Sequence, residues 1–150
     1  MEKVNIPFIM LNSKIFRNTQ IFLDKILKKY ELSSGSIHYI FILEKNEGIT
    51  QIKLSREVGN DKAMSARTIT KLIESGFVYK KQDEKDSRAY NLYVTEKAKE
   101  LIPIIRGEIR GLVDLIAEDL TEEEKIITSK SLFKILEKTQ SLKSEGFNDK

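Results

Sequence analysis

The chain of 150 residues is long enough to bury a sizeable core as one domain, and with 33% charged residues and two prolines it suits a helical, solvated protein. It has no cysteine and one histidine, which removes disulfides, thiolate metal sites and thiol redox sensing and leaves a transition-metal site short of ligands. The net charge is +3, with basic residues in excess before Thr95 and acids in excess after it, as expected if one surface faces phosphates and another serves a different purpose.

No apolar run has the length of a membrane span, and MEKVNIPFIMLNSK lacks a signal-peptide core and cleavage site, so the protein is expected to be soluble and cytoplasmic. Phe8, Leu11, Ile15, Phe22 and Ile26 recur at helical spacing and predict a first helix of about six turns. Pro7 stands where a helix tolerates it, and Asn18 and Thr19 interrupt the stripe. Glu31 to Gly35 reads as a turn, with Ser33, Ser34 and Ser36 available to cap a second helix over Ser36–Glu44. Asn46-Glu47-Gly48 closes that helix, Ile49 opens a short apolar stretch, and Thr50 caps a third helix through Val58. Leu54 and Val58 face inward, and Ser55 is small where another helix could pack closely.

Gly59-Asn60 turns the chain into DKAMSARTITKLIESG (Asp61–Gly76), the stretch that organises the rest. Asp61 is a good N-cap and Gly76 supplies a left-handed end. Ala66, Ile69, Leu72 and Ile73 form one apolar side, while Met64, Arg67 and Lys71 point the opposite way. Helix, tight turn, then a helix with a basic outer face is a helix-turn-helix pattern, and such a helix is what major-groove reading requires. Taken alone the segment reads more readily as an ordinary amphipathic surface helix, and it is the flanks that favour the helix-turn-helix. After Gly76 the period becomes alternating: Phe77-Val78-Tyr79 reads as a strand, Lys80–Ser87 as a charged loop, and Tyr90–Val94 as the return strand. The resulting wing carries Asp86 and Arg88, where an Arg at the tip could enter the minor groove and Asp86 could hold it by a bidentate pair. A merely solvated hairpin has the same composition.

Thr95 caps the next helix, in which Ala98, Ile102, Ile105, Ile109, Leu112 and Ile116 form a heptad seam interrupted by Pro103, which should kink it. Thr121-Glu122-Glu123-Glu124 is a capping box for a last helix carrying Ile126, Ile127, Phe133, Leu136 and Leu142, with fraying expected after Ser144. The first helix and the last two are not needed for a winged helix. They either fold back as a single-chain bundle or bury their stripes against a second copy, and the second is the reading adopted, since major-groove readers of this plan bind as two-fold dimers.

The chain resembles the MarR family of winged-helix transcriptional regulators from about Phe8 to Leu142, in GITQIKLSREVGNDKAMSARTITKLIESGFV (Gly48–Val78) and DSRAYNLYVTEKAKEL (Asp86–Leu101) above all. The fold implied is mainly α with a small β-hairpin wing: a winged helix-turn-helix over about 34–95 with dimerisation helices over about 7–30 and 96–143, in a single domain. The resemblance places Ala63, Met64, Arg67, Thr68 and Lys71 at the major groove, with Arg67 at guanine and Ala63 or Met64 at a thymine methyl. It places Arg88 in the minor groove with Asp86 as anchor, and Ser36, Thr50, Gln51, Lys53 and Lys62 at backbone phosphates. Dimerisation falls to Phe8, Leu11, Ile15, Ile109, Leu112, Ile116, Phe133 and Leu136.

What the resemblance implies is a homodimeric, sequence-specific binder of palindromic double-stranded DNA, a repressor released by a small anionic or phenolic effector and otherwise free of cofactors. Some relatives sense zinc, and His38 falls where such a ligand can occur, but with no second histidine it reads as a structural residue or a phosphate contact. The first rival is a winged-helix protein–protein assembly module whose basic face meets an acidic partner without specific DNA binding. The second is an enzyme, for which the chain offers no nucleophile–base set, metal spacing or phosphate-binding Gly loop. Glu122–Glu124 reads as a helix N-terminus, not as an acid/base pair.

Overall fold

The computed structural model describes residues 7–146. Six helices and three short strands follow one another as α1 (Phe8–Leu27), α2 (Ser34–Lys45), β1 (Ile49–Thr50), α3 (Gln51–Val58), α4 (Lys62–Glu74), β2 (Val78–Gln82), β3 (Tyr90–Val94), α5 (Glu96–Ile116) and α6 (Glu122–Glu145), with a 3-10 turn at Lys28–Tyr30. The chain divides into two units, Met1–Ile109 and Arg110–Lys150.

The caps explain most of the boundaries. Asp61 and Thr50 each accept the N–H three residues on, from Met64 at 2.7 Å and Lys53 at 3.3 Å. Thr95 accepts from the Ala98 amide at 3.1 Å and donates to the Gly76 carbonyl at 2.6 Å, so one hydroxyl starts α5 and ties it to the end of α4. Thr121 and Glu124 form the expected reciprocal box. The second helix starts earlier than Ser36: Ser33 is its N-cap, and Ser36, at the third helical position, returns the bond to the Ser33 amide. Between α3 and α4 the turn needs a left-handed residue, and Gly59 supplies it at φ +85°.

The sheet has three strands in the order β1-β3-β2, both pairs antiparallel. The residues Ile49 and Thr50, read from sequence as an apolar stretch and a cap, form an additional strand opposite Leu92 and Asn91. The first wing strand also runs on to Gln82, through residues assigned to the loop, because Lys80 and Gln82 pair with Leu92 and Tyr90 and the Lys80 ammonium lies 4.7 Å over the Tyr90 ring.

The core lies wholly in the first unit, around Tyr39, Phe77, Leu27, Ile40, Leu54, Leu72, Leu92, Ile102 and Ile105. The heptad seam of α5 is therefore split: Ala98, Ile102 and Ile105 are core, Ile109 packs against that core, Leu112 is half-covered and Ile116 is exposed. The helix continues through Pro103, which is solvent-exposed. Glu108 accepts from Lys29 and, at 2.7 Å, from the Tyr30 hydroxyl, which fastens α5 to the 3-10 turn that follows α1. Among the described residues of the second unit none is buried.

Phe77 is wholly buried where α4, β2 and α5 meet. Phe77→Ala is expected to lower the unfolding free energy by about 3–5 kcal/mol in urea denaturation, and a loss below about 1 kcal/mol would contradict its place at the centre of the core.

Candidate nucleic-acid interface

The face of α4 opposite its core contacts is built by helical period. Ile69 and Leu72 are buried at 2% exposure each, with Ile73 and Ala66 half-covered beside them. With those inward, Ala63, Arg67 and Lys71, spaced four residues apart, align along the outer side, and all three are exposed. Lys62 is exposed at the first turn, next to the Asp61 cap. Met64 (45% exposed) and Thr68 lie to one flank, and the Thr68 hydroxyl is spent on the Met64 carbonyl at 3.0 Å. The structure thus brings Ala63, Arg67 and Lys71 together and sets Met64 and Thr68 at their edge.

Met64 and Thr68 also border a cavity of about 580 Å³. Its other walls are Phe16, Thr19, Gln20 and Leu23 of α1, Ser34, Gly35 and His38 of α2, and Val58 and Asn60. The single histidine is therefore a wall of this cavity. Among the described residues no group of three or more His, Cys, Asp or Glu could hold a metal ion.

The wing is a folded loop. Asp83, which the sequence reading passed over, organises its tip: Oδ1 accepts the amides of Lys85 at 2.7 Å and Asp86 at 3.0 Å. These two backbone bonds, Lys85 first, hold the Asp83 carboxyl below the ordinary aspartate range. The signal was present in the sequence, since an Asp ahead of a short polar turn caps it with its own side chain. Asp86 accepts the Arg88 main-chain amide at 3.0 Å rather than the guanidinium, so the expected bidentate pair is corrected: Asp86 shapes the backbone and leaves the Arg88 side chain exposed. Beside the tip, Lys80 and Lys81 are exposed, and Lys81 lies over the stacked rings of Tyr79 and Tyr93.

The residues expected at phosphates fare unevenly. Lys53 and Lys62 are exposed, and Gln51 is half-covered. The Thr50 hydroxyl accepts the Lys53 amide as the cap of α3. Ser36 is 8% exposed, and its hydroxyl serves the Ser33 amide and carbonyl, so its placement gives a phosphate contact no support. Tyr39, Ser55 and Ser65 carry buried hydroxyls where α2, α3 and α4 meet; the sequence reading takes Ser55 only as a small residue at a close helix contact and passes over Tyr39 and Ser65.

Of the residues assigned to dimerisation, Phe8, Leu11 and Ile15 on α1 are about half exposed at 56%, 46% and 58%. On α5 and α6, Ile116, Phe133 and Leu136 stand at 52%, 66% and 49%, and Leu112 is half-covered. Ile109 is the exception, since it is covered by the core of its own chain.

The MarR family signature matches residues 32–90, from the start of α2 to the return strand of the wing. HTH-type transcriptional regulator YybA of Bacillus subtilis (strain 168), itself described as uncharacterized, is 32% identical over 108 residues, 72% of each chain. HTH-type transcriptional regulator BilQ of Clostridioides difficile (strain CD3) is 29% identical over 140 residues, 93% of this chain and 90% of that one. Among solved structures, a crystal structure of MarR matches with a TM-score of 0.83 at 31% identity, covering 91% of this chain and 99% of that one.

The carboxylate form of Asp83 is favoured in the folded loop, so its contribution is present above the ordinary aspartate range and is lost as pH falls through the lowered folded value. The amide NMR shifts of Lys85 and Asp86 are expected to titrate together with a midpoint below that of a free aspartate, and Asp83→Asn is expected to flatten both curves. A midpoint at or above the free value would contradict this organisation of the wing tip.

Proposed function

The chain belongs to the MarR family, and from that premise we propose that it is a homodimeric, sequence-specific regulator of transcription that binds double-stranded DNA and represses until a small molecule releases it. Its relatives are named as transcriptional regulators, and the chain is a regulator and not an enzyme. The observation that carries the DNA reading is the division of α4: Ile69 and Leu72 are fixed inward while Ala63, Arg67 and Lys71 share the exposed side. A convex helix edge with a guanidinium at its centre matches the donor pattern needed at guanine O6 and N7.

Arg67 is assigned to a guanine, and Ala63 or Met64 to a thymine methyl. Arg88 on the wing enters the adjacent minor groove, while Lys53 and Lys62 meet phosphates. The winged part over residues 34–95 reads DNA, and the helices over 7–30 and 96–143 join two copies. Exposed apolar side chains along α1 in the first unit, and along the end of α5 and α6 in the second, support the joining role, because large apolar side chains left uncovered in such numbers mark a protein interface. Two copies would then present two recognition helices to half-sites about one duplex turn apart.

The 580 Å³ cavity supports the effector half of the reading. It has the size of a small-ligand site, and it touches Met64 and Thr68 of the recognition helix, so an occupant bears directly on α4. Its walls mix aromatic and aliphatic side chains with His38, Asn60 and hydroxyls, which suits a small aromatic molecule with a polar or anionic edge.

Arg67→Ala is expected to weaken binding to the cognate duplex by about 1–3 kcal/mol and to relax base preference at one position of each half-site, measured by fluorescence anisotropy on a set of single-base variants. Equal weakening on random-sequence DNA would contradict the assignment of Arg67 to a base.

A further inference from the structure

Beneath the recognition helix, four residues from four successive parts of the fold close a ring, with Asn60 contributing both its side-chain amide and its main-chain carbonyl. Asn60 Nδ2 donates to the Tyr39 hydroxyl at 2.8 Å. The Tyr39 hydroxyl and Ser65 Oγ are 3.0 Å apart. Ser65 Oγ donates to Ser55 Oγ at 2.8 Å, and Ser55 Oγ donates to the Asn60 carbonyl at 2.9 Å. The number of protons sets the direction throughout. A carbonyl can only accept, so the single Ser55 proton goes to Asn60; the Ser65 proton then goes to Ser55, and Tyr39 must donate to Ser65. Each hydroxyl gives once and receives once, and the ring begins and ends on Asn60.

Away from Asn60, which is half-covered at the rim, the ring has no access to water as a substitute partner. Tyr39, Ser55 and Ser65 are 0%, 5% and 1% exposed. Apolar contacts at Ile69 and Leu72 hold α4 down but are non-directional, so they leave its rotation and height loosely defined. Hydrogen bonds weaken steeply with angle, and bonds chained head to tail strengthen one another. A ring that ties α4 at Ser65 to α3 at Ser55, to the turn at Asn60 and to α2 at Tyr39 therefore constrains the orientation of α4 in a way that packing cannot.

We propose that the Tyr39–Ser65–Ser55–Asn60 ring is a positioning device for base reading, which sets the orientation of α4 and thereby the selectivity of Arg67 and its neighbours. It rests on the DNA-reading role proposed above. Phosphate contacts tolerate small shifts and base-edge contacts do not, so opening the ring degrades selectivity more than affinity. Asn60 is also a wall of the 580 Å³ cavity, so the ring has one side open to an occupant there.

The test uses Tyr39→Phe, Ser65→Ala and the double variant of the full chain, each at a temperature where circular dichroism shows it folded. Affinities are measured for the duplex that the wild type selects from a random-sequence pool and for an unrelated duplex. Each single variant is expected to lose about tenfold in the ratio of the two affinities. The double variant is expected to lose no more than the worse single one, because the ring is already open. Asn60→Ala, at the rim, provides the same comparison if either core variant does not fold. An unchanged ratio in folded variants, or losses that simply add, would overturn the positioning role while leaving DNA binding intact. Failure of the wild type to enrich any duplex would overturn the DNA reading itself, and this inference with it.

Discussion

The rest of the structure depends on the seating of α4 against the core. Ile69 and Leu72 go under the helix, and at 3.6 residues per turn that choice sends Arg67 to the outer side, while the hydrogen bonds of Ser65 to Tyr39 and Ser55 constrain the helix more finely. Thr95 reinforces the same seat from the far end, since it starts α5 and holds the carbonyl of Gly76 just beyond α4. The wing then leaves from Phe77, itself wholly buried, so the hairpin and the helix share one foundation. A protein that reads a duplex with two elements needs them fixed relative to one another, and a single buried aromatic between them accomplishes much of that.

The second theme is unsatisfied apolar surface. The core of the first unit is complete, yet large apolar side chains remain exposed along α1, the end of α5 and α6. Phe133, at 66% exposure on a helix with no buried residue, is the plainest instance. On the proposed reading the missing cover is a second copy, and the symmetric pairing that results doubles the recognition elements. The same helices border different tasks, for Phe16 and Leu23 of α1 also wall the cavity that touches Met64 and Thr68.

Much of this was legible in the sequence, for a physical reason. Caps and periods are local: Asp61, Thr95 and the Thr121–Glu124 box set helix starts through neighbours three residues away. The wing strands announced themselves by alternation. What escaped depended on partners distant in the chain. The strand at Ile49–Thr50 exists because Leu92 and Asn91 lie beside it, and two residues have no period to read. The heptad seam of α5 looked uniform, but Ala98, Ile102 and Ile105 belong to the core and Leu112 and Ile116 do not, a distinction set by where the core ends. Asp86 beside Arg88 suggested an ion pair, whereas the short turn brings the backbone amide closer than the guanidinium. The ring through Tyr39, Ser55, Asn60 and Ser65 joins residues up to 26 apart and had no sequence pattern beyond serines in apolar faces.

The central claim is that two copies aim paired helices and wings at one duplex, and hydroxyl-radical footprinting of a selected operator addresses it most directly. The account predicts two equivalent patches of protection, related by two-fold symmetry, with centres about 10–10.5 base pairs apart or at a multiple of that spacing. A single isolated patch, saturating with one chain per duplex, would contradict it.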